Sequence, residues 1–246
     1  MDNLMNLDGP EIGKLVERQV FRYNARRREL RETGGTGQAG CCRYASISRE
    51  AGSLGQEVRA ALAERLQWHV FDKELVEYIA RNAHVRERIV RELDEKAQTL
   101  VQDTIERLLR LVEGSSFGEE EYHRGLLQAL GTLSAQGGAV FVGHGATFAL
   151  REPAGLHIRI IASPQTRIGR LSREWHVPAE QAERRMREAD TDFREFIRHH
   201  FKSDPDDLTY YDLVFNTDHL TVDQVVSAVL SVMQSSGFEG VRKPVK

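Results

Sequence analysis

Arg43-Tyr44-Ala45-Ser46-Ile47-Ser48, then Arg49-Glu50-Ala51-Gly52-Ser53-Leu54-Gly55, then Gln56-Glu57-Val58 continuing through Ala60, Ala61, Leu62, Ala63 and Leu66, reads as a buried strand, a glycine-bearing turn and a helix. Such a junction leaves the first backbone N–H groups of the helix unpaired and puts the positive end of its dipole at the turn. A phosphate can be held there with little help from side chains. In the standard P-loop, G-x-x-x-x-G-K-[ST], the lysine reaches the β- and γ-phosphates and the hydroxyl holds Mg²⁺. Here Gly55, Gln56 and Glu57 stand in those places. The turn has the shape of a phosphate cradle without its cation. Glycines also serve βα turns for backbone reasons alone, so the reading depends on the rest of the chain.

With 246 residues the chain can bury a full α/β core and still carry an appendage. Its 40% hydrophobic and 29% charged content and formal charge of −3 give no global field that would recruit nucleic acid or an anionic membrane. No apolar run approaches the ~20 residues needed to span a bilayer. Met1-Asp2-Asn3-Leu4 lacks the basic-then-apolar pattern of a secretory signal. Cys41 and Cys42 are adjacent, which disfavours a disulfide between them. A cytoplasmic, reducing setting is therefore expected.

Residues 1–40 read as an appendage: a helix over Pro10–Glu32 with an apolar stripe of Ile12, Val16, Val20 and Tyr23, then a glycine-rich linker from Gly34 to Gly40. The linker contains G-x-G-x-x-G, but it precedes a strand instead of following one, so a Rossmann reading is discarded. Six acidic residues balance seven basic ones before Cys41. No specific nucleic acid is expected there, and residues 10–32 are left as a surface for a protein partner or self-association.

The main domain is expected over residues 41–236, with a tail from 237 to 246. Beyond the first βα unit, His69–Phe71 reads as a short strand and Asp72 as the N-cap of a helix through Ala80. Residues 85–136 read as a helical insertion interrupted at Gly114–Gly118. Ala139–Val142 is another strand, ending in Gly143-His144-Gly145. His157–Ala162 follows, with Ser163-Pro164 as an N-cap and N1 pair, then arginine-rich helices over about 165–201. Asp212–Asn216 is the fifth strand, and Thr221-Val222-Asp223-Gln224 a capping box for the closing helix. Strands alternating with helices imply a five-stranded parallel sheet with right-handed crossovers. Ligands sit beyond the carboxyl ends of such strands, the edge that collects the Gly52–Gly55 turn, Asp72, Gly143 to Gly145 and Ser163.

These segments together resemble the cytidylate kinase-like family, relatives of bacterial CMP kinase among the P-loop nucleoside monophosphate kinases. Ile47-Ser48-Arg49-Glu50 and the turn after it are similar to the family's I-S-R-E and G-S-G-G-R-E-I. Trp68 to Leu75 is similar to W-x-V-Y-D-K-E-L, Val140 to Ala146 to V-I-V-G-R-G-A, and Tyr211 to Asp218 to Y-D-L-V-x-N-T-D. The resemblance runs from about Tyr44 to Met233. It implies a P-loop NTPase-type three-layer α/β fold with an arginine-rich lid over 165–201, and phosphoryl transfer from ATP, with Mg²⁺, to a nucleoside monophosphate. On that basis Arg49, Arg187, Asp190 and Arg194 are the catalytic candidates. Ser48, Gly52, Ser53, Gly55, Gln56, Glu57 and Arg167 are candidates for the nucleotide, and Asp72, Lys73, Gly143 and His144 for the acceptor. No resident metal site is expected, because His199-His200 has no second ligand cluster.

Each of these residues has a plain structural alternative. Arg167, Arg170 and Arg173 recur every third residue and could form a solvated face; Glu183 and Arg187 have intrahelical pair spacing. Three departures bear on activity: Gln56, His144 and Phe193 stand where the family carries arginine. An arginine acting on a transferring phosphoryl is worth ~10³-fold or more in rate. The fold expectation survives these changes because it rests on strands and turns. The activity expectation is weakened, and a non-catalytic nucleotide sensor is the alternative.

Overall fold

The structure, a computed structural model, describes residues 42–91, 98–99, 102–103, 105–106, 117–143, 145–150 and 155–235. The appendage over 1–40, the tail over 237–246, most of the glycine interruption before residue 117, and His144 lie outside the described residues.

Strand β1 (Tyr44–Arg49) leads through the turn into helix α1 (Gly55–Leu66). Strand β2 (His69–Phe71) is followed by Asp72, whose Oδ1 accepts from the Leu75 amide at 3.3 Å and so caps helix α2 (Lys73–Arg81) as expected. Helices α3 (Ala83–Arg91) and α4 (Phe117–Gln136) follow. Phe117 and Gly118, expected to belong to an interruption, are the first residues of α4 instead. The remaining elements are β3 (Ala139–Val142), the short α5 (Ala146–Ala149), β4 (Gly155–Ile161), α6 (Pro164–Trp175), α7 (Ala179–Phe201), a 3-10 turn (Leu208–Tyr210), β5 (Leu213–Asn216) and α8 (Val222–Gln234).

The chain divides into two units. One contains Phe71–Gly137 and is built from α2, α3 and α4. Leu75, Val76, Ile79, Val85, Ile89, Leu126, Leu130 and Leu133 are buried, on helices that pack against one another. The other contains residues 39–70 and 138–246, including nearly all of the sheet.

The sheet has five strands in the order β2-β3-β1-β4-β5. β1 pairs in parallel with β3 and β4, and β4 with β5. Alternation decides the two faces. Ala45 and Ile47 of β1 and Leu156, Ile158 and Ile160 of β4 meet Val58 and Leu62 of α1 and Val225, Val226, Val229 and Met233 of α8 in one apolar core. The intervening residues Tyr44, Ser46, Ser48, His157 and Arg159 are buried as well, so the opposite face carries polar groups into the interior. There Ser46 Oγ lies 2.6 Å from His157 Nδ1 and 2.9 Å from Thr147 Oγ1. Tyr44 stands opposite Gly155 across the strands, and a side chain on Gly155 would collide with the tyrosine ring.

β1 is central, and the connections leave it in opposite senses: β1 to β2 passes beyond β3, whereas β3 to β4 crosses to the other side. The turn after β1 therefore lies at the topological switch point, where open parallel sheets place their ligands.

Candidate functional site: a braced phosphate cradle

The turn Glu50–Leu54 is fixed from behind by its carbonyls. Glu50 O accepts from Ser53 N at 3.3 Å and Ser53 Oγ at 2.8 Å. Ala51 O accepts from Arg167 Nε at 2.7 Å, and Gly52 O from an Arg170 terminal nitrogen at 3.1 Å. Ser53 O accepts from Thr217 Oγ1 at 2.9 Å, and Leu54 O from Val58 N at 3.0 Å. Every carbonyl of the turn thus has a donor.

Gly52 has φ 77° and Leu54 φ 62°, two left-handed residues separated by Ser53. Alternation of this kind turns successive amides toward a common concavity suited to an anion. Leu54 caps α1 with no side-chain hydrogen bond, so the opening amides of the helix lack the usual side-chain acceptor. The physical requirements for an anion cradle are met by the backbone alone: orphan donors, a dipole end and a rigid frame.

Within this frame the expected residues take different roles. Gly52, Gly55, Gln56 and Glu57 belong to the turn and the first turn of α1, with Gln56 and Glu57 exposed. The Ser53 hydroxyl is turned into the protein, donating to Glu50 O and to Ile160 O at 3.1 Å, and its amide also donates to Glu50 O, so Ser53 braces the turn with its hydroxyl and its main chain alike. Arg49 lies along the rim: a Cβ built on Gly55 would sit 2.6 Å from Arg49 Cβ, and one on Gly143 would sit 3.6 Å from an Arg49 terminal nitrogen.

Arg167 differs from the expectation of a cation aimed at phosphate. It is buried, bracing Ala51 O, with its other nitrogens 3.4 Å from Glu50 Oε2 and 2.7 Å from Asp190 Oδ1. Asp190 is therefore its partner. Arg194 donates through Nε to Asp206 Oδ2 at 3.0 Å, a hydrogen bond that raises its already high pKa. Arg187 is exposed and pairs with Glu183 at 2.6 Å on its own helix. Ser48 Oγ accepts from Arg159 at 2.8 Å. Gly143 follows β3 with its amide bonded to Ile47 O at 3.2 Å. Asp72 is described in the helical unit, where it caps α2; Lys73 opens that helix, and its side chain lies outside the described residues.

Three contributors escaped the sequence reading as site residues: Glu50, Arg159 and Thr217. Arg170, a lid arginine that the resemblance offers as a cation for phosphate, is engaged as a brace instead and also donates to Thr217 O at 2.7 Å, tying α6 to the end of β5. Of the three, Arg159 left the clearest signal, a charged residue inside the apolar strand His157-Ile158-Arg159-Ile160-Ile161. Tyr211, two residues before β5, donates to Pro205 O at 2.9 Å, and burial raises its phenol pKa.

A profile of the cytidylate kinase-like family matches residues 45–219, a span that holds the cradle and all the braces just described. The chain belongs to the cytidylate kinase-like family. Its five-stranded parallel sheet with flanking helices is an α/β fold. A solved structure of an uncharacterized protein from Eubacterium ventriosum ATCC 27560 superposes with a TM-score of 0.54 at 18% identity, over 78% of this cytidylate kinase-like chain and 98% of that chain. Two shikimate kinases, one from Acinetobacter baumannii in complex with shikimate and one from Bacteroides thetaiotaomicron, give TM-scores of 0.41 and 0.42 at 14% identity. They cover 78% of this chain and 93% and 98% of their own. Comparison with the curated proteins gives no match.

Among the described residues no helix is long and apolar enough to cross a membrane. No group of three or more His, Cys, Asp or Glu side chains among them could hold a metal ion.

Proposed function

We propose that this chain is a nucleoside monophosphate kinase-like phosphotransferase that takes ATP as donor and a CMP-like nucleotide as acceptor. The carrying observation is the turn itself: each carbonyl from Glu50 to Leu54 is bonded from behind, and α1 opens without a side-chain cap. Such a frame suits a polyphosphate, whose oxygens accept the orphan amides without loss of any bond already made. Arg49 on the rim would face the same phosphates, and Gly143 and His144 are the acceptor candidates of this unit; Asp72 and Lys73 are acceptor candidates by the family resemblance alone.

Mg²⁺ would arrive with the nucleotide, held mainly by phosphate oxygens and water. Ser53 Oγ is engaged by two carbonyls, so the hydroxyl ligand of a standard P-loop has no counterpart in this turn; Glu57 is its exposed carboxylate. The ion would supply charge neutralisation between the β- and γ-phosphates.

A second reading, a nucleotide sensor without turnover, is favoured by two observations. Gln56 replaces the cation that a P-loop places on its phosphates, and Arg167 and Arg170 are engaged as braces. A coupled assay with MgATP and each of CMP, dCMP and UMP separates the two. ADP release above the no-enzyme control supports the phosphotransferase, and none with any nucleoside monophosphate rejects it. Nucleotide-dependent thermal stabilisation without turnover supports the sensor, and absence of any thermal shift rejects both.

A further inference from the structure

Arg159 sits within β4, opposite Ser48 in the parallel register, and is only 5% exposed. A buried guanidinium is costly unless it is paired and hydrogen-bonded. One terminal nitrogen donates to Ser48 Oγ at 2.8 Å. The other lies 3.8 Å from Glu50 Oε1 and 3.9 Å from Asp206 Oδ1, close enough for attraction but beyond hydrogen-bond distance. The Phe193 and Tyr211 rings lie against it at 5.4 Å and 5.8 Å. Phe193, which at the sequence level reads only as a lost cation, thus holds a cation delivered from the neighbouring strand.

The contacts reach the phosphate-binding turn at two points. Ser48 is the last residue but one of β1, and Glu50 opens the turn. Glu50 is further held by Arg167 at 3.4 Å and by the Ala162 amide at 3.3 Å. The same Arg159 nitrogen also reaches Asp206, which takes Arg194 of α7. Arg159, Arg167 and Arg194 stand against Glu50, Asp190 and Asp206, three charges of each sign. A set so balanced offers no net attraction to an added anion, which argues against Arg159 as a phosphate ligand.

We infer that Arg159 is a positioning residue for the cradle: through Ser48 and Glu50 it fixes the direction of the turn, and through Asp206 it links that setting to α7. As far as ligand binding goes, the inference rests on the phosphate reading of the turn.

The test compares wild type with Arg159→Met, Arg159→Lys and Ser48→Ala. Amide hydrogen exchange in the ligand-free proteins comes first. Arg159→Met is expected to speed exchange over residues 51–58 about tenfold while leaving residues 222–234 of α8 unchanged. Titration with ADP should show binding about tenfold weaker, equivalent to about 1.4 kcal/mol. Arg159→Lys keeps the charge but not the planar fork, and should recover only part of the loss. A cooperatively folded Arg159→Met protein with wild-type exchange over 51–58, or with wild-type ADP affinity, overturns the inference. If the Arg159 variants do not fold, Ser48→Ala decides, since it removes one hydroxyl and leaves the charges paired: faster exchange over 51–58 supports the inference and unchanged exchange overturns it. Wild-type protein that binds no ADP would sink the phosphate reading, and the exchange comparison would still decide the role of Arg159.

Discussion

Gly52 shows how narrowly single positions are constrained in the cradle. Its φ of 77° is left-handed, and a Cβ built on it would sit 2.9 Å from both the Arg167 carbonyl oxygen and Leu171 Cγ. Gly52→Ala is expected to cost about 1–2 kcal/mol from backbone conformation alone, with more from displacement of α6; urea denaturation measures the total. Gln56 presents the opposite case. Gln56→Lys puts a cation beside the positive end of the α1 dipole, so the ligand-free protein should lose about 0.3–1 kcal/mol. The same ammonium would face phosphate, so ADP should bind tighter; calorimetric titration beside urea denaturation tests the paired signs. Both positions are legible in the sequence, because glycine spacing and a missing P-loop lysine are local features. Arg159, Asp206 and Thr217 are not. Their partners lie far along the chain, and only the strand register brings them together.

At the scale of elements, local signals and structure agree where a cap decides the boundary. Ser163 caps α6, with Pro164 as its first residue. Thr221 and Gln224 form both bonds of a capping box on α8. Thr221→Ala should therefore lower stability by about 1 kcal/mol, read from the urea midpoint. Asp218 reinforces the start of α6: its Oδ1 accepts from Ser163 N at 2.9 Å and Ser163 Oγ at 3.0 Å. The Ser163 amide, then the Thr166 hydroxyl, hold its carboxyl below the usual aspartate range. A depressed folded pKa means stability that is present above the unfolded value and lost as pH falls through the folded one. The urea midpoint of the wild type should thus fall more steeply below about pH 4 than that of Asp218→Asn; parallel curves would remove Asp218 as the cause. The start of α4 was not legible. Gly118 reads as an interruption, yet the first turn of a helix needs no amide partner from a preceding turn and accommodates it.

At the scale of the whole molecule, the parallel sheet and its carboxyl edge were legible because five short apolar runs alternate with helical periods. The charge-balanced cluster behind the cradle was not, since periodicity reports burial and not partnership. Ligand linkage gives a global readout of the cradle. A nucleotide at ~100 times its dissociation constant stabilises by about 2.7 kcal/mol, and each kcal/mol raises the midpoint of a chain this size by about 2–4 °C. ADP should therefore raise the thermal midpoint of the wild type by several degrees, and that of Gly52→Ala by less, as followed by calorimetry.

Tyr44 and Gly155, set side by side in the sheet, have a consequence for how this chain can vary. Because the ring occupies the space that a side chain on Gly155 would need, neither position can be scored alone in a mutational survey. Enlarging 155 by itself should be deleterious, and trimming 44 by itself should open a void. The two exchanges made together, such as Tyr44→Leu with Gly155→Ala, should be tolerated better than their separate penalties add up to. That is pairwise epistasis imposed by shape, between loci more than a hundred residues apart in the chain.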